Sequence, residues 1–276
     1  MNKKLTINKY ASIRKIYDGL SVTAGIPQNS RKIFIPEGNS GEKSIVKRLC
    51  SSLQNSGQMS NSIKFNKDRN NRCLIESVVC NYEASKFVKS FNSWVEVYCA
   101  LTEEGKNDNG VEKGFNKGIA KSNWEKYAKG LFEGIHFLTD NDKNGFKRIR
   151  ALIKKSNTVE TVSKDMIDEI SDISKHISGL GFALTCDWLK ECGCTWLVKP
   201  DTHIVEVYKH LVGVDNVSNK DLIIDMFDYA RLIRKELGDK SMTAYKLDKM
   251  IWLVCTGNFY QYDIQIGRDL IIKLVK

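Results

Sequence analysis

The chain has 276 residues, and its shares of hydrophobic and charged residues, 42% and 28%, are ordinary for a soluble globular protein. This length suits one large domain or two lobes that share a cleft, and it can bury a core without disulfide bonds. No run of about 18 apolar residues occurs, so the sequence predicts no membrane span. The first ten residues contain no apolar core of a signal peptide.

Charge and cysteine usage bear on the partner and the compartment. The formal net charge is +10 and the pI is near 9.1, which suits a polyanionic partner because phosphate contacts release counterions. A generic lysine-rich surface accounts for the charge as well. Of the eight cysteines, several lie inside apolar segments, as expected for buried thiols in a reducing compartment. We therefore expect a cytoplasmic protein.

Apolar residues recur at helical spacing along most of the chain, whereas strand-like alternation is sparse. We predict that residues 1–75 form a loop-rich N-terminal elaboration packed on a core of residues 76–276, with a Gly/Asn-rich break at residues 104–118. The pattern predicts an all-α fold with helices over residues 8–24, 42–53, 73–101, 123–138, 146–155, 164–177, 182–191, 204–211, 219–237 and 242–255, and a further helix in the tail 263–276.

Residues 54–72 interrupt the helical pattern with a polar stretch rich in Asn and Ser. This composition is typical of a mobile linker or a surface loop. Four basic side chains within it could meet a phosphate backbone, although a solvated loop is the simpler interpretation. These residues are Lys64, Lys67, Arg69 and Arg72.

The densest functional signal runs from Ile177 to Ile204, and it begins with a glycine hairpin, Gly179-Leu180-Gly181, directly before a predicted helix. Glycine lets the backbone turn tightly. The N–H groups at the start of the second helix can then approach a phosphate with no side chain in the way. Many helical hairpins use glycine only to turn, so this signal alone does not establish DNA binding.

An aspartate follows at a defined place in the same stretch. Asp201 lies one helix and one turn after the hairpin, between Pro200 and the expected helix start at Thr202. We therefore expect it at a helix N-terminus, where its carboxylate caps the first turn. A carboxylate held there can also act on a bound DNA backbone.

The hairpin and the aspartate together resemble the signature of the helix-hairpin-helix (HhH-GPD) DNA glycosylases. The matching residues are Ile177-Ser178-Gly179-Leu180-Gly181 and, after one helix, Pro200-Asp201-Thr202-His203-Ile204. The resemblance implies a hairpin motif over residues 164–192, a catalytic loop over residues 193–204, and two helical lobes with a cleft between them. The flanking helical pattern from Cys73 to Cys255 is compatible with the family but less specific.

The family flips a nucleotide out of the duplex and breaks its glycosidic bond. By resemblance, Asp201 is the catalytic aspartate, which stabilises the oxocarbenium-like sugar and orients or activates water. Gly179, Leu180 and Gly181 are the residues that hold a DNA phosphate, in the family often with a monovalent cation. Lys199 and His203 are further expected DNA contacts, and we expect His203 to order the loop rather than to transfer a proton.

The sequence departs from the bifunctional and the iron–sulfur members of the family. Bifunctional members carry a lysine two residues after the second hairpin glycine, where this chain has Ala183, so no Schiff base forms there. Lys199 could substitute in principle, but a phosphate contact or a plain surface position is the preferred interpretation. Only Cys255 follows Cys194, so we expect no iron–sulfur cluster, no other metal and no required cofactor.

Aromatic side chains commonly sandwich a flipped base, although at helical spacing most aromatic residues belong to the core. The segments before the hairpin and the late helices are where the family builds its pocket. The predicted base pocket consists of Trp94, Tyr98, Trp124, Tyr127, Asp248 and Trp252.

The sequence therefore predicts a monomeric, monofunctional DNA glycosylase without lyase activity that excises a base from double-stranded DNA and leaves an abasic site. The base is either a damaged or mispaired one, as in DNA repair, or a modified base of phage DNA, as in antiviral defence. The unusual residues 1–75 motivate the second option. The alternative function is a non-catalytic helix-hairpin-helix protein that only binds DNA.

Overall fold

A computed structural model describes residues 5–26, 32–57, 59–107, 117–156, 158–259, 262 and 264–267, without the side chains of residues 32, 103–107 and 117–122. In these ranges the chain forms thirteen α-helices and a single two-stranded antiparallel sheet, which confirms the all-α class. No helix within them is both long and apolar enough to cross a membrane.

The helices follow one another with short connections, and two 3₁₀ turns, Lys32–Phe34 and Cys80–Tyr82, interrupt the series. The α-helices are α1 Ile7–Thr23, α2 Glu42–Leu53, α3 Met59–Ile63, α4 Arg69–Val78, α5 Ala84–Ser90, α6 Trp94–Asn107, α7 Lys117–Thr139, α8 Gly145–Lys155, α9 Lys164–Lys175, α10 Phe182–Glu191, α11 Thr202–Val212, α12 Asn219–Leu237 and α13 Ala244–Thr256. The strands are β1 Asn258–Phe259 and β2 Ile264–Gln265.

The chain folds into two compact units, each built from segments that are not contiguous in the sequence. The central unit comprises Glu37–Lys155 and Asp165–Gly193. The terminal unit comprises Met1–Pro36, Ser156–Lys164 and Cys194–Lys276. The predicted N-terminal elaboration, residues 1–75, therefore contributes to both units.

In the central unit, α7 packs against α2, α3, α5, α6 and α8. Two glycines on α7 permit a close approach to its neighbours. A Cβ on Gly130 would lie 2.6 Å from the backbone oxygen of Ser178, and one on Gly134 would lie 2.7 Å from Leu49 Cδ2. Since real Cβ atoms do not approach other atoms so closely, glycine at these positions lets α7 support the hairpin and α2.

In the terminal unit, α13 is the central helix and packs against α1, α11 and α12. Its N-terminus is capped by Thr243, whose hydroxyl accepts a hydrogen bond from the Lys246 N–H at 3.1 Å. Most of its side chains are buried, including Leu247, Met250 and Leu253. Because α13 is buried on nearly every side, polar side chains on it require partners, which matters for the site below.

Most of the predicted helices are confirmed, and residues 42–53 and 219–237 match α2 and α12 to the residue. The polar stretch at residues 54–72 was wrongly predicted as a mobile linker or loop, because it contains α3 and the start of α4. It also buries Met59, Ile63 and Phe65, each 2% exposed or less. In the tail, Ile264–Gln265 is a strand rather than helix, and residues 268–276 lie outside the described part of the chain.

Candidate functional site

The glycine hairpin, Gly179–Gly181, turns between α9 and α10 in the central unit. Gly179 has a φ of +80°, a left-handed conformation that residues with a Cβ adopt only under strain. Leu180 points into the unit and is 1% exposed, and its N–H donates to the Ile177 carbonyl at 3.1 Å. The Ser178 N–H donates to Glu133 Oε2 on α7 at 2.7 Å. The hairpin is therefore fixed from behind while both glycines remain exposed.

Gly181 is the N-cap residue of α10, and its exposed face is open. Its backbone is extended, with φ −63° and ψ 170°, and a Cβ built on it would meet nothing within 4 Å. The first N–H groups of an α-helix have no acceptor inside the helix, and a glycine cap provides no side-chain oxygen for them. These N–H groups carry the positive end of the helix dipole and suit an anion.

Ala183 lies in the first turn of α10 and is half-buried. This is the position at which the bifunctional glycosylases place a nucleophilic lysine, as the sequence resemblance implies. A methyl group has no nucleophilic electron pair, so Ala183 cannot act as a nucleophile.

The aspartate loop, Lys199–Asp201, precedes α11 in the terminal unit. Asp201 is the N-cap of α11, and its Oδ1 accepts a hydrogen bond from the Ile204 N–H at 3.2 Å. Its own N–H donates to the Lys199 carbonyl at 2.8 Å across the buried Pro200. The predicted capping geometry is thus present, and it fixes one carboxylate oxygen while Oδ2 makes a separate contact.

Asp248, on α13, anchors this loop from inside the terminal unit. It is 1% exposed, and its Oδ1 accepts a hydrogen bond from the Lys199 N–H at 2.9 Å. The sequence placed Asp248 in the base pocket, but in the structure it contacts the backbone that carries Asp201. An acidic residue within the apolar run of α13 signals a buried polar contact, although sequence alone does not identify its partner.

Asp201 interacts electrostatically with two neighbours, Lys199 and Cys255. Lys199 Nζ lies 3.7 Å from Asp201 Oδ2, and each of these side chains is 20% exposed. The pKa of the Cys255 thiol is raised to about 11, first by burial and then by the negative charge of Asp201. Cys255 therefore stays protonated at neutral pH, and this thiol adds no negative charge beside Asp201.

The remaining predicted residues of the terminal unit lie on α11 and α13. His203 is exposed in the first turn of α11, so its imidazole is accessible to a partner. Trp252 is half-buried and follows Asp248 by one turn of α13. Helical residues four positions apart share a face, so Trp252 and Asp248 lie on one face of α13.

The four other predicted pocket residues belong to the central unit. Trp124 and Tyr127 are 2% and 0% exposed, their rings make an edge contact at 6.2 Å, and Tyr127 Oη donates to the Cys50 carbonyl at 2.9 Å. These two residues therefore form core, which corrects their assignment to a pocket wall. Trp94 and Tyr98, one turn apart on α6, are half-buried, and burial together with the charge of Glu125 raises the pKa of Tyr98.

The predicted residues divide between the two units. The hairpin residues and the four aromatic residues above lie in the central unit, and Lys199, Asp201, His203, Asp248 and Trp252 lie in the terminal unit. Within the second set, Lys199 contacts both Asp201 and Asp248. All eight cysteines are free thiols, and no group of three or more His, Cys, Asp or Glu side chains in the described ranges could hold a metal ion. Comparisons with protein-family models, with curated proteins and with solved structures found no match.

Proposed function

We propose that the protein is a monofunctional DNA glycosylase of the helix-hairpin-helix type. It flips a nucleotide out of double-stranded DNA and hydrolyses the bond between base and sugar. The observation that carries this proposal is the state of Asp201: its carboxylate caps α11, and the loop behind it is fixed by the buried Asp248. A carboxylate held in one position can stabilise a charge that develops only in the transition state.

The glycine hairpin binds the DNA backbone in this proposal. The N–H groups at the start of α10 donate to a phosphate oxygen, and the open space at Gly181 lets that phosphate approach. A monovalent cation would be held here by backbone carbonyl groups of the hairpin, of which Leu180 O and Gly181 O already accept from Thr185 Oγ1 at 3.2 Å. Such a cation would add positive charge beside the phosphate.

Asp201 acts on the sugar of the flipped nucleotide. As the bond between C1′ and the base nitrogen breaks, its electron pair leaves with the base, and positive charge develops on the sugar. The carboxylate stabilises that charge and orients a water molecule, whose oxygen bonds to C1′ while one of its protons passes to the carboxylate. That proton is then lost to solvent, and the departed base takes up a proton from solvent. The products are a free base and an abasic site.

The hairpin supports hydrolysis by water because Ala183 offers no amine. Lys199 Nζ lies 3.7 Å from Asp201 Oδ2, and the two side chains form an ion pair. The charge of this lysine suits a DNA phosphate next to the reacting nucleotide. We therefore assign Lys199 and His203 to DNA binding.

The base remains open between two classes. One is a damaged or mispaired base, as in repair, and the other is a modified base of phage DNA, as in antiviral defence. Residues 1–75 motivate the second class because their sequence differs from the additions usual in the family. The two classes are distinguished by the DNA on which the protein acts.

A non-catalytic DNA-binding protein is the second candidate function. The observation that favours it is that Asp201 already has a structural role, since one oxygen caps α11 and the other pairs with Lys199. In that case the hairpin would still bind phosphate and no base would be released.

The two functions separate in one assay. The protein is incubated with DNA from several sources, including DNA with damaged bases and modified phage DNA, and abasic sites are then cleaved with alkali. Glycosylase activity predicts strand breaks in at least one DNA, which the Asp201→Asn variant does not produce. Binding to every DNA without breaks in any of them would support the non-catalytic function.

A further inference from the structure

The stretch predicted to be a mobile linker contains a rigid basic turn, Lys64–Arg69, which the proposed site does not use. Phe65 in the turn is 2% exposed and anchors it in the central unit. Asn66 exchanges hydrogen bonds of 2.9 and 3.1 Å with Ser51 on α2. The turn is therefore attached both to the core and to a neighbouring helix.

Further hydrogen bonds hold the backbone of the turn in place. The Arg72 guanidinium donates to the Phe65 and Asn66 carbonyls at 3.1 and 2.9 Å. Asp68 caps α4 by accepting from the Asn70 N–H at 2.9 Å. Arg72 and Asp68 therefore form hydrogen bonds within the protein, whereas the other charged side chains of the turn are exposed.

Three cations of the turn point into solvent: Lys64, Lys67 and Arg69 are all exposed. Lys64 has a φ of +49°, a conformation that is strained for a residue with a Cβ and is held by the surrounding contacts. Within the described ranges, no acidic side chain forms an ion pair with any of the three. A rigid turn with three unpaired cations suits a repeating array of negative charges better than a single small anion.

The turn lies close to the glycine hairpin along one short helix. A Cβ on Gly179 would be 3.8 Å from Met59 Cε, at the start of α3. Because α3 ends at Ile63, Lys64 follows this five-residue helix directly, and the turn begins at its far end.

We propose that the basic turn is a second DNA-backbone contact, which binds phosphates of the same duplex as the glycine hairpin. This inference rests on the proposed function only in that the ligand is DNA. It assigns Lys64, Lys67 and Arg69 to non-specific electrostatic binding and gives them no part in base release.

The salt dependence of binding tests this proposal, with a short fluorescent duplex as the probe. The three cations of the turn are replaced together by glutamine in the full chain. The matched control removes the same charge from α8 through Lys147→Gln, Lys154→Gln and Lys155→Gln, since these residues are also exposed on the central unit. Thermal unfolding of both variants checks that they fold.

Binding is measured between about 50 and 200 mM salt. The basic-turn variant is expected to lose about 2 to 3 from the slope of log affinity against log salt, at about 0.9 per lost contact, and to bind about 10- to 100-fold more weakly. The α8 variant is expected to keep a slope close to that of the wild type. Equal losses in both variants, or an unchanged slope in the basic-turn variant, would overturn the proposal.

The result is distinguishable from a failure of the proposed function. If the wild type binds the duplex and the basic-turn variant matches it, only this inference fails. If the wild type does not bind duplex DNA at all, both fail. If the basic turn binds DNA but no base is ever released, the proposed catalytic function fails and this inference stands.

Discussion

The glycine hairpin of the central unit and the aspartate loop of the terminal unit differ in what they present to a ligand. At the hairpin, both exposed residues are glycines, so what they present is backbone, next to the first N–H groups of α10. At the aspartate loop, the proposed functional group is a single carboxylate, which side-chain and backbone contacts hold in place. The hairpin depends on having no side chains at its two glycines, whereas the aspartate loop depends on the contacts that hold its carboxylate.

This difference predicts opposite responses to substitution. Adding atoms to the hairpin should block a ligand without unfolding the protein, provided that the backbone conformation tolerates a side chain. Removing contacts behind the aspartate loop should leave binding intact and misplace the carboxylate. The predictions below test this contrast, and they begin with the largest expected effect and end with the smallest.

Replacing Asp201 with asparagine should abolish catalysis while preserving binding. Asparagine is as good an N-cap as aspartate, so α11 should keep its start. The lost negative charge should lower the rate of base release by about 100- to 1,000-fold. The rate is measured from alkali-labile sites and the affinity from binding to the same duplex. A variant that releases base at the wild-type rate would show that catalysis lies elsewhere.

Adding a side chain at Gly181 should weaken DNA binding by about 10-fold or more, because Gly181→Leu adds a bulky group to the open space at the residue that caps α10. The backbone there has φ −63°, which any residue adopts, and leucine is a poorer N-cap than glycine, so the free energy of unfolding should fall by only about 1 kcal/mol. The affinity is measured by titration of a fluorescent duplex, and unchanged affinity would remove the hairpin from the DNA contact.

Gly179 and Gly213 provide a matched pair for the same question. Both have left-handed φ values, +80° and +71°, and neither would place a Cβ in a close contact. Alanine should therefore destabilise each by about 1 kcal/mol. Only Gly179→Ala should also weaken DNA binding, because Gly213 ends α11 rather than belonging to the hairpin. Equal binding losses would point to a general effect of backbone strain.

Truncating Asp248 should loosen the aspartate loop. Asp248→Ala leaves the Lys199 N–H without its buried acceptor, which should cost about 1–3 kcal/mol of stability. Misplacing the Asp201 carboxylate should lower the rate of base release by about 10- to 100-fold. Asp248→Asn retains an acceptor oxygen and should recover most of the rate. An asparagine variant as slow as the alanine variant would indicate that the charge of Asp248, rather than its hydrogen bond, is needed.

Replacing Lys199 should have only a small effect on stability. Its ion pair with Asp201 is partly exposed, so Lys199→Gln should change the free energy of unfolding by less than about 1 kcal/mol. Borohydride should trap no covalent adduct between the protein and DNA, because Ala183 provides no amine. A trapped band in the wild type that disappears in Lys199→Gln would instead identify Lys199 as a nucleophile.

The smallest expected effect concerns Cys255, whose pKa of about 11 exceeds the ordinary 9.0. Asp201→Asn removes one of the causes and should lower that pKa, while burial keeps it above the ordinary value. The alkylation rate of Cys255 against pH reports the shift. Because the folded pKa is raised, stability linked to this thiol is complete below pH 9.0 and is lost as the pH rises towards 11.

Much of the helical fold was predictable because apolar spacing and capping residues are local signals. The bounds of α12 follow from Ser218 as its cap and a glycine after its last turn. The helix α3 could not be predicted from residues 54–72, because this stretch is polar and contains few apolar residues. Five residues are too few for the spacing of apolar side chains to indicate a helix. Its order comes from Phe65 and from the contact between Asn66 and Ser51, which is not visible in the local pattern.

The candidate site was predictable only in part. The capping position of Asp201 follows from Pro200 and the helix after it. The role of Asp248 did not, because its hydrogen bond to Lys199 joins residues 49 positions apart. Trp124 and Tyr127 lie at helical spacing, which is the same for core residues and for pocket residues. Only their burial in the structure assigns them to the core.

The most direct test of the central claim is mass spectrometry of the free bases that the wild-type protein and Asp201→Asn release from a panel of damaged, mispaired and phage-modified DNAs. We expect the wild type to release one class of base and leave intact strands with abasic sites, and we expect the variant to release none while binding the same DNA. Release of no base from any DNA that the wild type binds would contradict the proposed glycosylase. Equal release by both proteins would contradict the role of Asp201.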